Sequence, residues 1–234
     1  MDPRKLHKEY GLDLRLEYQG CAFCGGSPTT TDHVPSKAFL SKPYPDNFPQ
    51  VPACKECNQS FSMDEQYVTC LLDCVICGSS ESPNLSDTTQ KTFRRSPALA
   101  ERIERCRFKN EKGDVVWAAE MDRVENVITK LARGHVLFDL SYHELETPST
   151  ISCMPLMAMS DGQLTSFENA GVGQLTSCPG EIGSRAFLRA FGEPGYAKDE
   201  GPWVTVQPGR YRYAIENGWV QIVIAEYLAC FVEW

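Results

Sequence analysis

With 234 residues, of which 42% are hydrophobic, the chain is long enough to bury a substantial core as one domain or two closely packed ones. Its net charge of −8 argues against nucleic-acid binding over the whole surface, because phosphate contacts require Lys and Arg. No apolar run approaches the roughly 18 residues of a membrane span, and the charged N-terminus is unlike a signal peptide. We therefore expect a soluble, cytoplasmic protein.

Two short strands are predicted on either side of a proline-rich loop. A turn at residues 25–28 leads into a β-branched segment, 29–33, that ends in Asp32 and His33. Residues 42–52 contain four prolines and predict an extended loop. Residues 51–53 can then return as the partner strand, so that the two segments form a hairpin.

Helices are predicted in the middle of the chain and strands towards its end. Residues 63–77 predict a helix that opens with a Ser-x-x-Glu capping box at Ser62 and Glu65 and ends at Gly78. Residues 79–92 predict a loop, and further helices are predicted at 98–108 and 122–138. The segments 150–159, 203–206, 211–215 and 219–234 have strand composition, with a hairpin turn at 216–218.

Four of the eleven cysteines form two Cys-x-x-Cys pairs with 29 residues between them. They are Cys21, Cys24, Cys54 and Cys57. Four thiolates in two such pairs suit tetrahedral zinc, and they leave no position for water, so this zinc is expected to be structural rather than catalytic. Disulfides are the weaker interpretation for a chain without an export signal.

The other seven cysteines are interpreted differently, although Cys74 and Cys77 repeat the Cys-x-x-Cys spacing. Cys70, Cys74 and Cys77 share one helical stripe with Tyr67, which favours core packing over a second metal site. We interpret the scattered remainder as small buried hydrophobic residues. They are Cys106, Cys153, Cys178 and Cys230.

Three polar residues in and beside the two cysteine pairs are the candidates for chemistry. If both pairs bind one zinc, the hairpin should bring Asp32 and His33 close to Asn58. Carboxylate and amide oxygens are hard ligands suited to Mg²⁺, and a free imidazole can act as a base, which together suit phosphodiester hydrolysis. Taken singly, His33 would be a structural histidine and Asn58 a helix cap, but their joint spacing favours a site.

Three short motifs carry a resemblance to a known family. They are Cys21-Ala22-Phe23-Cys24, Asp32-His33-Val34-Pro35 and Cys54-Lys55-Glu56-Cys57-Asn58. In these motifs the chain resembles HNH endonucleases that have a ββα-metal fold and a four-cysteine zinc site. A wider likeness to an uncharacterised bacterial HNH group extends over most of the chain.

The resemblance implies a role for each matching residue. It makes His33 the general base, and it assigns Asp32 and Asn58 to the catalytic metal. The family's middle Asn, which orients the base, corresponds to Asn47. The implied cofactors are a structural Zn²⁺ and a catalytic Mg²⁺ or Mn²⁺, and the implied substrate is DNA.

The resemblance and the predicted elements together indicate an α+β fold in three parts. Residues 15–78 would be a treble-clef-like ββα-metal nuclease module with the structural zinc. Residues 79–148 would be a helical segment, and residues 149–234 a mostly β region of unassigned role. A single HNH centre cuts one strand, so double-strand cleavage would require a second copy, for example a homodimer partner.

Positive charge is concentrated in residues 91–112, which hold eight basic and three acidic residues. Arg94 and Arg95 in this segment, and Lys37 beside the candidate site, are candidates for contacts with nucleic-acid phosphates. A solvated helix face is an equally open interpretation of the segment.

The overall acidity keeps a second function open. The chain would then be a catalytically silent, zinc-stabilised module that binds nucleic acid or protein. RNA is a weaker candidate substrate, because no stacking platform is evident in the sequence.

Overall fold

The computed structural model describes residues 20–45, 49–169, 184–190 and 203–234. The fold is mixed α+β, which confirms the predicted class. The α-helices of the described residues are α1 (Lys55–Ser60), α2 (Ser62–Cys77), α3 (Asp87–Arg95), α4 (Pro97–Glu104), α5 (Met121–His135), α6 (Asp161–Glu168) and α7 (Arg185–Ala190). Within these ranges, none of the helices combines the length and the apolar composition that a membrane crossing requires.

The strands form three antiparallel sheets in the described part of the chain. They are β1 (Thr30–His33), β2 (Gln50–Ala53), β3 (Arg107–Lys109), β4 (Val115–Trp117), β5 (Thr150–Pro155), β6 (Trp203–Gln207), β7 (Tyr211–Glu216), β8 (Trp219–Ile224) and β9 (Leu228–Glu233). Strands β1 and β2 pair, β3 and β4 pair, and the C-terminal sheet has the order β5-β9-β8-β7-β6. The predicted C-terminal antiparallel sheet is therefore confirmed.

The chain divides into two compact units. The first comprises the described residues of Met1–Ser60 and Ile128–Trp234, and the second is Phe61–Val127. The cysteine pairs, the β1–β2 hairpin, α1 and the C-terminal sheet all belong to the first unit. The three-part division at 15–78, 79–148 and 149–234 stays a prediction.

The β1–β2 hairpin forms where the sequence predicts it. Asp32 pairs with Val51, and the buried side chains of β2 are Val51 and Ala53, which alternate with more exposed neighbours as expected for a strand with one covered face. The backbone N–H of Ala22 donates to the carbonyl of Pro52 at 2.8 Å. This bond ties the first cysteine pair to the hairpin.

The C-terminal sheet supplies much of the core of the first unit. The predicted β7–β8 hairpin is present, with Glu216 opposite Trp219 and Gly218 in the left-handed region at φ 91°. Tyr211, Tyr213 and Ile222 are fully or almost fully buried in it. The sheet therefore provides a rigid base for the rest of this unit.

In the second unit, α2 matches its prediction except at its start. It ends at Gly78, in the left-handed conformation, and it buries Tyr67, Cys70 and Cys74, as the core interpretation expects, whereas Cys77 is only partly buried. The predicted capping box at Ser62 is wrong. Phe61 is the N-cap residue, because α1 ends only one residue earlier and Ser62 is already helical.

Two further boundaries differ from the sequence prediction. The predicted loop 79–92 is wrong in its second half, since α3 begins at Asp87 and Ser86 caps it by accepting from the N–H of Thr89. The helix predicted at 98–108 ends at Glu104, and β3 begins at Arg107. A polar, Thr-containing helix and a short strand have too few regularly spaced apolar residues to be recognised from the sequence.

Candidate functional site

The four cysteines of the two pairs converge in the first unit. Their Sγ atoms all lie within 4.8 Å of one another, and those of Cys24 and Cys54 are 3.9 Å apart. Tetrahedral zinc with Zn–S bonds of about 2.3 Å places its sulfurs about 3.8 Å apart. Cys21, Cys24, Cys54 and Cys57 could therefore hold a zinc ion, and within the described ranges no other group of three or more His, Cys, Asp or Glu side chains lies this close together.

Backbone N–H groups are directed at the sulfurs of both pairs. The N–H of Phe23 donates to Cys21 Sγ at 3.4 Å, and the N–H of Cys57 donates to Cys54 Sγ at 3.4 Å. Such bonds favour the thiolate form, which is the form that binds metal. In each pair, a backbone N–H therefore favours the ionised sulfur that a zinc ion requires.

The first pair also depends on a glycine that precedes it. The N–H of Cys21 donates to the carbonyl of Gly26 at 2.7 Å, and the N–H of Gly25 donates to the carbonyl of Cys21 at 2.8 Å. Gly20 has φ +84°, and a Cβ there would lie 2.6 Å from the Gly25 carbonyl oxygen. The tight turn therefore requires glycine at position 20.

The surroundings of the cysteine cluster shift the pKa values of its thiols in different directions. Burial opposes ionisation of Cys21, but hydrogen bonds from backbone groups of Cys54, Phe23 and Cys24 outweigh it and lower the Cys21 pKa. Burial, followed by hydrogen bonding with neighbouring thiols, raises the pKa of Cys57. Zinc binding requires all four as thiolates, so it should release protons from this cluster.

Asn58 begins the candidate oxygen site, directly after the last cysteine. Its Nδ2 donates to Thr30 Oγ1 at 3.2 Å and to the Thr31 carbonyl at 3.1 Å. A carbonyl only accepts, so these bonds fix the orientation of the amide and leave Oδ1 for a cation. Asn58 is thereby held against the residue that precedes Asp32.

Asp32 is only 9% exposed. Its Oδ1 accepts from the backbone N–H of His33 at 2.8 Å, and its Oδ2 lies 2.7 Å from the Nζ of Lys130 in α5. An ionised carboxylate has about four lone-pair positions, so these two contacts do not exhaust its capacity to accept, although Oδ2 itself is buried. A carboxylate and an amide oxygen are the types of ligand that a hard divalent ion takes.

Lys130 was not among the residues singled out from the sequence. Its side chain is 3% exposed, and besides Asp32 it donates to Ser36 Oγ at 2.6 Å. One observable sequence signal was its position three residues after Val127 and four before Gly134, on the stripe that α5 buries.

His33 is half-buried at the end of β1. Burial, followed by the positive charge of Lys37, lowers its pKa, against the opposing effect of the Asp32 charge. A lowered pKa keeps the imidazole neutral at pH 7, which is the state that a general base needs.

Four further residues were predicted from the sequence to take part in the function. Asn47 lies outside the described residues. Lys37 is exposed near His33, whereas Arg94 and Arg95 are exposed at the end of α3 in the second unit. In the same basic segment, Arg107 pairs with Glu104 at 3.3 Å.

Comparisons of the chain with models of protein families, with curated proteins and with solved structures found no match. Its function is therefore inferred from the motif residues and from their surroundings in the fold.

Proposed function

We propose that the chain is a zinc-stabilised HNH endonuclease that hydrolyses DNA phosphodiester bonds with the help of Mg²⁺ or Mn²⁺. In this proposal His33 is the general base, and Asp32 and Asn58 hold the divalent ion. The observation that carries it is the fixed amide of Asn58, whose Nδ2 lies 3.1 Å from the Thr31 carbonyl. This bond presents a neutral oxygen ligand beside the strand that bears the carboxylate and the imidazole.

Each side chain has a distinct task in the reaction. Neutral His33 takes a proton from the attacking water, and its lowered pKa keeps it available for this at pH 7. Asp32 supplies a negative and Asn58 a neutral oxygen ligand. The bound divalent ion would neutralise charge at the scissile phosphate and stabilise the leaving oxygen.

The cysteine cluster acts on the reaction only through geometry. Cys57 directly precedes Asn58, and the first pair is tied to β2 by the Ala22–Pro52 hydrogen bond of 2.8 Å. Zinc bound to all four cysteines would hold the start of α1 in register with the hairpin. The distance between Asn58 and Thr31 therefore depends on the zinc.

Cleavage of a supercoiled plasmid tests this proposal. We expect nicking by the zinc-loaded wild type only when Mg²⁺ or Mn²⁺ is added. Loss of a general base typically costs 10²–10⁴-fold in rate, so His33→Ala should cut slower by about that factor. His143→Ala, which removes a histidine of the same unit outside the site, is the matched control and should cut normally. Absence of cleavage by the wild type, or equal cleavage by His33→Ala, would contradict the proposal.

A second candidate function is supported by one contact. Lys130 Nζ lies 2.7 Å from Asp32 Oδ2, so a cation already accompanies the carboxylate. This contact favours a catalytically silent, zinc-stabilised module, and the net charge of −8 suits a protein partner better than nucleic acid. Calorimetry that detects no Mn²⁺ binding by the zinc-loaded protein, together with no cleavage of DNA or RNA, would select this function.

A further inference from the structure

Lys130 is a buried lysine whose contacts are concentrated on the candidate site. Its Nζ lies 2.7 Å from Asp32 Oδ2 and 2.6 Å from Ser36 Oγ, and its side chain is 3% exposed. Lysine is almost never fully buried unless it is paired, because an isolated ammonium is costly to remove from water. These two partners and the ring of Phe23, whose centroid lies 5.7 Å from Nζ, compensate for its burial.

Both partners belong to the short segment that carries His33. Asp32 precedes His33, and Ser36 follows it by three residues, so one ammonium holds the segment on both sides of the imidazole. One turn later in α5, a Cβ at Gly134 would lie 2.7 Å from Val34 Cγ2. The close approach of α5 at Gly134 therefore holds Lys130 against the segment that carries His33.

The charge of Lys130 has two opposite effects on Asp32. A buried carboxylate without a partner is strongly unfavourable, so the ammonium stabilises it when no metal is present. The same positive charge repels a divalent cation that approaches that carboxylate, and the repulsion is strong where water is excluded. Lys130 is enclosed and therefore acts through Asp32 rather than on a substrate.

We propose that Lys130 is the resident cation of the Asp32 site. It is a positioning residue that compensates the carboxylate before a divalent ion binds and that weakens the affinity of the site for that ion. This inference rests on the proposed assignment of Asp32 as a metal ligand. A purely structural lysine would support the fold without lowering metal affinity.

Mn²⁺ binding to the zinc-loaded protein tests the inference without relying on activity. Free Mn²⁺ is followed by electron paramagnetic resonance in wild type, Lys130→Met and Lys130→Arg. Removing a nearby positive charge should tighten Mn²⁺ binding by Lys130→Met roughly tenfold or more. Lys130→Arg keeps the charge and should stay near the wild-type affinity. Lys42→Met removes an exposed lysine of the same unit and should change nothing.

Unchanged or weaker Mn²⁺ binding by folded Lys130→Met would overturn the inference, as would the absence of binding in every variant. If Lys130→Met does not fold, Lys130→Gln, which can still donate to Asp32 and Ser36, takes its place with the same expectation. Plasmid cleavage by the wild type is measured in parallel. Cleavage with equal affinities rejects only the role of Lys130, whereas tighter binding by the variant without wild-type cleavage rejects only the proposed nuclease.

Discussion

The cysteine cluster and the Asp32 site lie in the same unit but differ in how their charge is balanced. Four sulfurs lie within 4.8 Å of one another, backbone N–H groups donate to those of Cys21 and Cys54, and Arg133 interacts electrostatically with Cys57. Asp32 already has the ammonium of Lys130 at 2.7 Å. We therefore expect the first site to depend on a bound metal, whereas the second has a cation of its own.

Loss of zinc should have the largest effect. Zinc binding by small structural sites contributes on the order of 10 kcal/mol or more, which is comparable to the whole stability of many domains. We expect Cys54→Ser to lose zinc and to unfold the hairpin region, as seen by circular dichroism and metal analysis. Cys106→Ser, outside the cluster, is the matched control. If Cys54→Ser lacks zinc but keeps the wild-type spectrum and the wild-type free energy of unfolding, the two sites do not differ in their need for a metal.

Breaking the Lys130 pair should come next in size. Removing one partner of a buried ion pair typically costs about 3–5 kcal/mol, because the other charge stays buried and uncompensated. Lys130→Met should therefore lower the free energy of unfolding by about that amount in urea denaturation. Adding Asp32→Asn should restore part of the loss, since no lone charge then remains. Additive effects of the two substitutions would show that the pair is not coupled.

A smaller effect should follow from filling the contact between α5 and the His33 segment. Gly134→Ala places a Cβ 2.7 Å from Val34 Cγ2, and overpacking of this kind costs about 1–3 kcal/mol. Val34→Ala should relieve the clash. Gly162→Ala, in α6 with open space around it, is the matched control and should be neutral or stabilising. Equal melting temperatures of the two glycine variants would show that α5 is not held closely at this point.

The parts of the site that lie close together in sequence could be predicted, because their patterns are local. The spacing of the Cys-x-x-Cys pairs predicted the cluster, and β-branched residues around a proline-rich loop predicted the β1–β2 hairpin. The second Cys-x-x-Cys pair was predicted to open a helical region, and α1 does begin at Lys55, between its two cysteines. The hydrogen bond of Asn58 to the Thr31 carbonyl required the folded hairpin.

Lys130 could not be recognised in the same way. Its partner Ser36 is 94 residues away along the chain, and a lone lysine in an amphipathic helix is normally a surface residue. Its position on the buried stripe of α5 is visible in the sequence, but only tertiary packing brings it to Asp32 and Ser36. The prediction of a capping box at Ser62 was wrong for a related reason. The preceding helix α1 ends at Ser60, too close to Ser62 for a separate cap.

The most direct test compares removal of the two metals from one sample of wild-type protein. Plasmid cleavage and circular dichroism are recorded together, first without added Mg²⁺ or Mn²⁺ and then after treatment with a high-affinity zinc chelator. We predict that omission of the divalent ion abolishes cleavage and leaves the spectrum unchanged. Removal of zinc should abolish cleavage and should also cause loss of the native spectrum. Cleavage that persists without the divalent ion, or a native spectrum after zinc removal, would contradict a zinc-held frame around a separate hydrolytic site.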